Sequence, residues 1–141
     1  MLTDPLRAAY LAAIYRFGTG PLIQLRVGKK SDALHAWLQQ GRHRSATVLT
    51  AFNPGSRHCS EEFNASAQQQ LRSLVQAYGL PFLEGQNLDP AGAWPAEHSL
   101  LIADLALAGS RELALQFEQL AFLWSDATAI PQLHATDPGQ P

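Results

Sequence analysis

The sequence predicts an α+β domain on a mixed or antiparallel sheet, and three observations predict it. Residues 46–52 and 99–105 are apolar runs with the length and β-branched content of interior strands. Each is followed by a stretch with apolar residues at helical spacing. The connection at 84–98 is polar, contains Pro and Gly and has no helical pattern, so it joins antiparallel neighbours rather than parallel ones. From about 45 to 125 the order reads strand, helix, strand, strand, helix, strand. That is the split βαβ pattern of ferredoxin-like sheets. A helix–strand–helix segment precedes it as an N-terminal extension.

Each element has its own warrant. Asp4-Pro5 reads as an N-cap with proline at the first helical position, opening a helix to about Phe17. Leu6, Ala9, Tyr10, Ala13, Ile14 and Phe17 share a face of it, and Gly18-Thr19-Gly20-Pro21 ends it. Residues 22–27 alternate as a strand. Ser31 caps a short helix bearing Leu34, Trp37 and Leu38, closed by Gly41. The run 46–52 is apolar or threonine on both faces, as expected of a central strand. Ser60 then caps a long helix with Glu61 and Glu62 in its first turn and Gly79 at its end. Residues 80–83 and 99–105 read as strands. Ser110 caps a last helix, and 122–124 and 130–134 are short strands. In the split βαβ order the first and third strands lie inside, and here they are the two most apolar. Residues 1–134 form one domain, and 135–141, poor in apolar residues, form a flexible tail.

Composition narrows the function classes. Hydrophobic residues make up 46% of the 141, which is enough for a core. A net charge of −2 with scattered basic residues excludes a broad nucleic-acid surface. The longest apolar stretch is interrupted by Asp104 and is too short to span a bilayer. No leader is legible at Met1-Leu2-Thr3-Asp4-Pro5, so a cytoplasmic location is expected. The single cysteine cannot form an intrachain disulfide, and the histidines have no ligand spacing, so no metal and no cofactor are expected. A homo-oligomer stays open.

The residues that can carry chemistry cluster around two loops. Asn53-Pro54-Gly55-Ser56-Arg57-His58-Cys59 joins a buried strand to a helix N-terminus. Asn53, Ser56, Arg57, Ser60 and Asn64 can hold a small anionic ligand there. Against this, Glu61 and Glu62 place negative charge at the same terminus, and Asn-Pro-Gly is ordinary turn chemistry. Cys59 beside Arg57 and His58 has features that favour a thiolate, but no partner for a Cys–His pair is visible, so it reads as a bystander. The second loop brings Trp94, Glu97 and Ser99 to the start of a strand. Gln119 is a polar group on an apolar helix end and must find a partner. The two central strands run antiparallel, so the end of one adjoins the start of the other. Asn53 is therefore expected to meet Glu97 and Ser99.

These blocks resemble a known family. Thr50-Ala51-Phe52-Asn53-Pro54-Gly55-Ser56 followed by Ser60-x-Glu62-x-Asn64, then Asp89-Pro90-x-Gly92-x-Trp94-Pro95-x-Glu97-x-Ser99, then Phe117-x-Gln119-x-Ala121-x-x-Trp124, resemble bacterial domain-of-unknown-function family 3293. Tyr15 and Leu25-Arg26-x-Gly28 fit its N-terminal part. The chain departs from the pattern at Glu118, where the resemblance implies glycine. The family supplies kinship without chemistry, but it implies that Asn53, Ser56, Asn64, Trp94, Glu97, Gln119 and Trp124 belong to one shared site.

Three functions fit the sequence. The first is a small-ligand or anion-binding domain with its pocket at the end of strand 46–52. The second is an interaction module or homo-oligomer without a small-molecule site. The third is a hydrolase with Glu97 as general base and Arg57 as anion clamp.

Overall fold

A computed structural model describes residues 1–19, 22–137 and 139–140. Four α-helices and seven strands follow in the order α1 (Asp4–Ala12), β1 (Ile14–Phe17), β2 (Ile23–Leu25), α2 (Asp32–Gly41), β3 (Ser45–Leu49), α3 (Glu61–Ala77), β4 (Phe82–Leu88), β5 (Glu97–Ala103), α4 (Leu107–Gln116), β6 (Ala121–Asp126) and β7 (Gln132–Ala135). The strands form one sheet in the order β2-β1-β4-β5-β3-β6-β7. Every neighbouring pair is antiparallel, and the sheet curls into a half-barrel. The fold is α+β.

Strands β5 and β3 lie at the centre, where both faces must be covered. Their composition answers that demand: every residue of β3 is buried, and so are Leu100, Leu101, Ile102 and Ala103 of β5. Pleating sends Leu49, Leu100, Ile102 and Phe122 to one face, against Leu71 and Val75 of α3 and Leu113 and Phe117 at the end of α4. Val48, Leu101 and Leu123 face the other way, onto Tyr15, Phe17 and Leu25 of the N-terminal hairpin and Leu34 and Leu38 of α2. Each fully buried leucine contributes about 1.5–3 kcal/mol. Within residues 45–126 the strand order is β4-β5-β3-β6, so the two most apolar strands of that segment are its inner ones.

The N-terminal extension corrects the expected helix–strand–helix. It is helix–strand–strand–helix. Helix α1 stops at Ala12, because Ala13 is extended at φ −67°, ψ 154°. Ile14–Phe17 is a strand with Tyr15 and Phe17 inward and Arg16 outward. Apolar residues at 14, 15 and 17 satisfy a helical and an alternating pattern alike. Pairing with both β2 and β4 decides in favour of the strand. The expected terminator lies partly outside the described residues, since Gly20 and Pro21 are not among them. The cap of α1 is Thr3 rather than Asp4: its Oγ1 accepts from Leu6 N at 3.4 Å, and Asp4 is the first helical residue.

Other boundaries differ from the sequence pattern for similar reasons. Strand β4 runs to Leu88, well past residue 83, so the β4–β5 connection shrinks to residues 89–96. Gly85 permits this, because a Cβ at that position would overlap Arg16 O. Strand β3 ends at Leu49 rather than at residue 52. Ser110 lies inside α4 rather than at its cap, where its hydroxyl donates to Ala106 O at 3.0 Å and pairs with Thr47 Oγ1 at 2.8 Å. Ser60 caps α3 as expected, accepting from Phe63 N at 3.1 Å. Near the C-terminus Thr136 is buried, and Leu2 N donates to Gln140 Oε1 at 3.0 Å; Pro138 and Pro141 are outside the described residues.

Candidate functional site

The chain leaves β3 through a turn that side chains hold together. Thr50 Oγ1 donates to His98 O at 2.6 Å and accepts from Phe52 N at 3.0 Å. Ala51 N donates to Gln68 Oε1 at 2.9 Å. Asn53 then adopts the left-handed conformation (φ 48°, ψ 62°), which asparagine tolerates better than most residues. Ser56 also has positive φ, at 60°.

Asn53 is the hub of the turn. Its N–H donates to Asn64 Oδ1 at 2.9 Å. Its own Oδ1 accepts from Asn64 Nδ2 at 3.0 Å and from Cys59 N at 3.0 Å. Its Nδ2 donates to Glu97 Oε2 at 2.8 Å. The expected meeting of the two loops therefore takes place. Its cause is register: Leu49 lies opposite Leu100, so the chain leaving β3 passes the residues that enter β5.

This junction forms one wall of a cleft of about 270 Å³. The opposite wall comes from the N-terminal elements. Leu6, Ala9 and Tyr10 of α1, with Ala13, present an apolar stripe, and Tyr15 of β1 continues it. Trp94 and Pro95 of the 89–96 loop close one side, while Phe52, Ser56, His58, Asn87 and Gln119 complete the lining. Glu97 stands inside it. Burial pushes its carboxyl above the usual carboxylate range, and the Asn53 amide pulls the other way. Tyr10 is pushed up to about 12, by burial first and by the negative field of Glu97 second, with the neighbouring Ser56 hydroxyl opposing. Tyr15, also buried, is driven well above its usual value; its hydroxyl donates to Tyr10 O at 2.8 Å.

Among the residues singled out from sequence, Asn53, Ser56, Trp94, Glu97 and Gln119 line the cleft. Asn64 and Ser99 are buried behind it: Asn64 clamps Asn53, and Ser99 Oγ donates to Asn87 Oδ1 at 2.8 Å. Gln119 Nε2 donates to Phe52 O at 3.0 Å and to Phe117 O at 3.3 Å, which supplies the partner a buried amide requires. Arg57 does not join them. Its guanidinium is exposed, with its nearest carboxylate, Glu118, 4.0 Å away. Ser60 serves as the α3 cap. Trp124 is elsewhere too, its Nε1 donating to Leu105 O at 3.0 Å. The Cys59 thiol donates to Arg57 O at 3.4 Å.

Sequence reasoning missed the roles of Tyr10, Tyr15 and Asn87. Helical spacing puts Tyr10 and the residues up to Phe17 on one continuous helix, and the polar character of 84–98 puts Asn87 in a loop. The alternation of Tyr15, Arg16 and Phe17 is the available signal for β1. Glu118, where glycine was implied, sits at φ 54°, and its carbonyl accepts from Gly55 N at 2.7 Å. The close backbone approach is thus present, and the side chain is exposed.

Among the described residues no three His, Cys, Asp or Glu side chains converge on a metal position, and no helix is long and apolar enough to cross a membrane. Fold and site together define an antiparallel α+β domain with a lateral cleft built around an Asn–Glu junction. The model of the family described as proteins of unknown function (DUF3293) matches residues 49–122, and the chain belongs to that family. No curated protein and no solved structure matches it. The matched residues include the Asn53 turn, Trp94, Glu97 and Gln119, whereas the wall made by α1 and β1 lies outside them.

Proposed function

We propose that the chain is a small-molecule-binding domain whose ligand occupies the cleft between α1 and the Asn53–Glu97 junction. The observation that carries this reading is the lining itself. An apolar and aromatic wall faces a few convergent polar groups (Asn53, Glu97, Asn87 and Gln119), which is the usual make-up of a ligand pocket. At about 270 Å³ the cleft suits a small metabolite better than a nucleotide or a peptide. The order β4-β5-β3-β6 supports describing residues 45–126 as a ferredoxin-like split βαβ unit. On that description the cleft lies beside the end of β3, where the N-terminal elements cover it.

The test is a screen of amines, alcohols, organic acids and sugar phosphates by amide chemical-shift perturbation on the labelled protein. Shifts that cluster at Tyr10, Asn53, Trp94 and Glu97 support the reading. A screen in which no compound moves those signals overturns it.

A catalytic reading has one specific observation behind it. Glu97 is a desolvated carboxylate held in a cleft by a neutral amide, an environment suited to a general base. The anion clamp that a hydrolase was expected to draw from Arg57 has no counterpart in the lining, so binding remains the better-supported function.

A further inference from the structure

We infer that the ligand of this cleft is a small organic cation, an amine or guanidine joined to an apolar or aromatic body. The inference rests on the binding reading above and specifies its chemistry. Four observations converge on it.

The first is charge. Glu97 is the one carboxylate among the described lining residues, and no lysine or arginine stands there with it. His58 is the remaining ionisable group besides the tyrosines, and it is exposed at the rim. Arg57, close in sequence, lies outside the lining, with Glu118 as its nearest carboxylate. A ligand anion would therefore meet the negative field of Glu97 with no lysine or arginine in the lining to offset it.

The second is an unused acceptor. Glu97 Oε2 is fixed by Asn53 Nδ2 at 2.8 Å. Oε1 has no hydrogen-bond partner among the described residues, and it is not sealed in the interior. Folding has already removed much of this carboxylate's hydration and set its direction, so a donor arriving at Oε1 meets a preorganised acceptor.

The third is the wall. Tyr10, Tyr15, Phe52 and Trp94 line the same cleft as the carboxylate. Aromatic faces attract cations through the ring quadrupole, most strongly where water is excluded, and they also cover an apolar ligand body. The fourth is Gln119. Its amide nitrogen is tied to the Phe52 and Phe117 carbonyls, which leaves Oε1 as a second acceptor with no partner among the described residues. Donor groups on the ligand match both unused acceptors.

The experiment compares three shape-matched probes by titration monitored through amide shifts and tryptophan fluorescence: phenethylamine, 2-phenylethanol and 3-phenylpropionate. Agmatine serves as a guanidine probe. The expected order is amine tightest, alcohol weaker by about tenfold or more, and carboxylate weakest. Glu97→Gln preserves the acceptor for Asn53 and removes the charge. It should weaken phenethylamine by about tenfold or more and leave 2-phenylethanol nearly unchanged. Trp94→Leu should weaken both. Equal binding of alcohol and amine, tighter binding of the carboxylate, or an amine affinity unmoved in folded Glu97→Gln overturns the cationic assignment while leaving a binding site. Failure of every probe to move the cleft signals overturns the assignment together with the binding reading beneath it.

Discussion

Replacing Asn53 by aspartate isolates the junction on which the site depends. The substitution is isosteric. Oδ1 still accepts from Asn64 Nδ2 and Cys59 N, and aspartate also tolerates a φ of 48°. What changes is the contact with Glu97: a donor 2.8 Å from Oε2 becomes a second carboxylate oxygen. A hydrogen bond to a charged group is worth about 1.5–3 kcal/mol, and two like charges about 4 Å apart repel by about 4 kcal/mol at an effective dielectric constant near 20. Proton uptake by the pair limits the total, so the expected loss at pH 8 is about 4 kcal/mol. That is a large share of the roughly 5–15 kcal/mol that holds a domain together. Near pH 5 the pair shares one proton, the bridge re-forms, and the loss falls to about 1 kcal/mol. The assay is urea unfolding followed by tryptophan fluorescence at both pH values, for wild type, Asn53→Asp, Glu97→Gln and the double variant. In the double variant the amide introduced at position 97 can donate to the carboxylate introduced at position 53. Adding Glu97→Gln to Asn53→Asp should therefore recover at least about 2 kcal/mol at pH 8. An equal loss at both pH values, or no rescue by Glu97→Gln, refutes the proposition that the Asn53–Glu97 contact holds the two loops together.

Three further outcomes follow from the same geometry. Glu97 has a raised folded-state pKa, so its charged form opposes folding above that pKa, and the opposition fades as the pH falls toward the ordinary carboxylate range. Glu97→Gln should therefore melt higher than wild type at pH 8, with the gap closing on acidification; differential scanning calorimetry across pH 4–8 checks this, and a pH-independent gap would refute it. Gly85→Ala would drive a Cβ into Arg16 O and to 2.5 Å from Phe17 Cδ1, so β1 must separate from β4. A loss of about 3 kcal/mol is expected, with faster amide exchange confined first to β1 and β2. Thr47→Val removes one hydroxyl of the buried Thr47–Ser110 pair, but Ser110 keeps its bond to Ala106 O, so chemical denaturation should register only about 1 kcal/mol.

The α3 helix was fully legible in the sequence because its signals are local. Ser60 caps it, Glu61 and Glu62 sit at its positive end, and Gly79 at φ 70° lets the chain turn away. Strands β3 and β5 were legible for a different reason: burial on both faces leaves a continuous apolar run. The pairing of Asn53 with Glu97 could also be derived, since antiparallel neighbours bring an end and a start together. None of these inferences required knowledge of a distant partner.

The remainder depended on such partners. Residues 14–17 suit a helix or a strand, and only the pairing with β2 and β4 chooses between them. That choice places Tyr15 in the lining of the cleft, and the extended Ala13 before it ends α1, whose Leu6, Ala9 and Tyr10 form the same wall. Arg57 looks from its neighbours like part of an anion site, yet the turn at Asn53, Gly55 and Ser56 leaves it in solvent with Glu118 as its nearest carboxylate. The sequence by itself determined the α+β class, the long helix, the inner strands and the meeting of the two loops, because local chemistry and burial encode them. The tertiary structure decided the far wall of the cleft and the sign of the charge inside it, because both depend on residues brought together across the sheet.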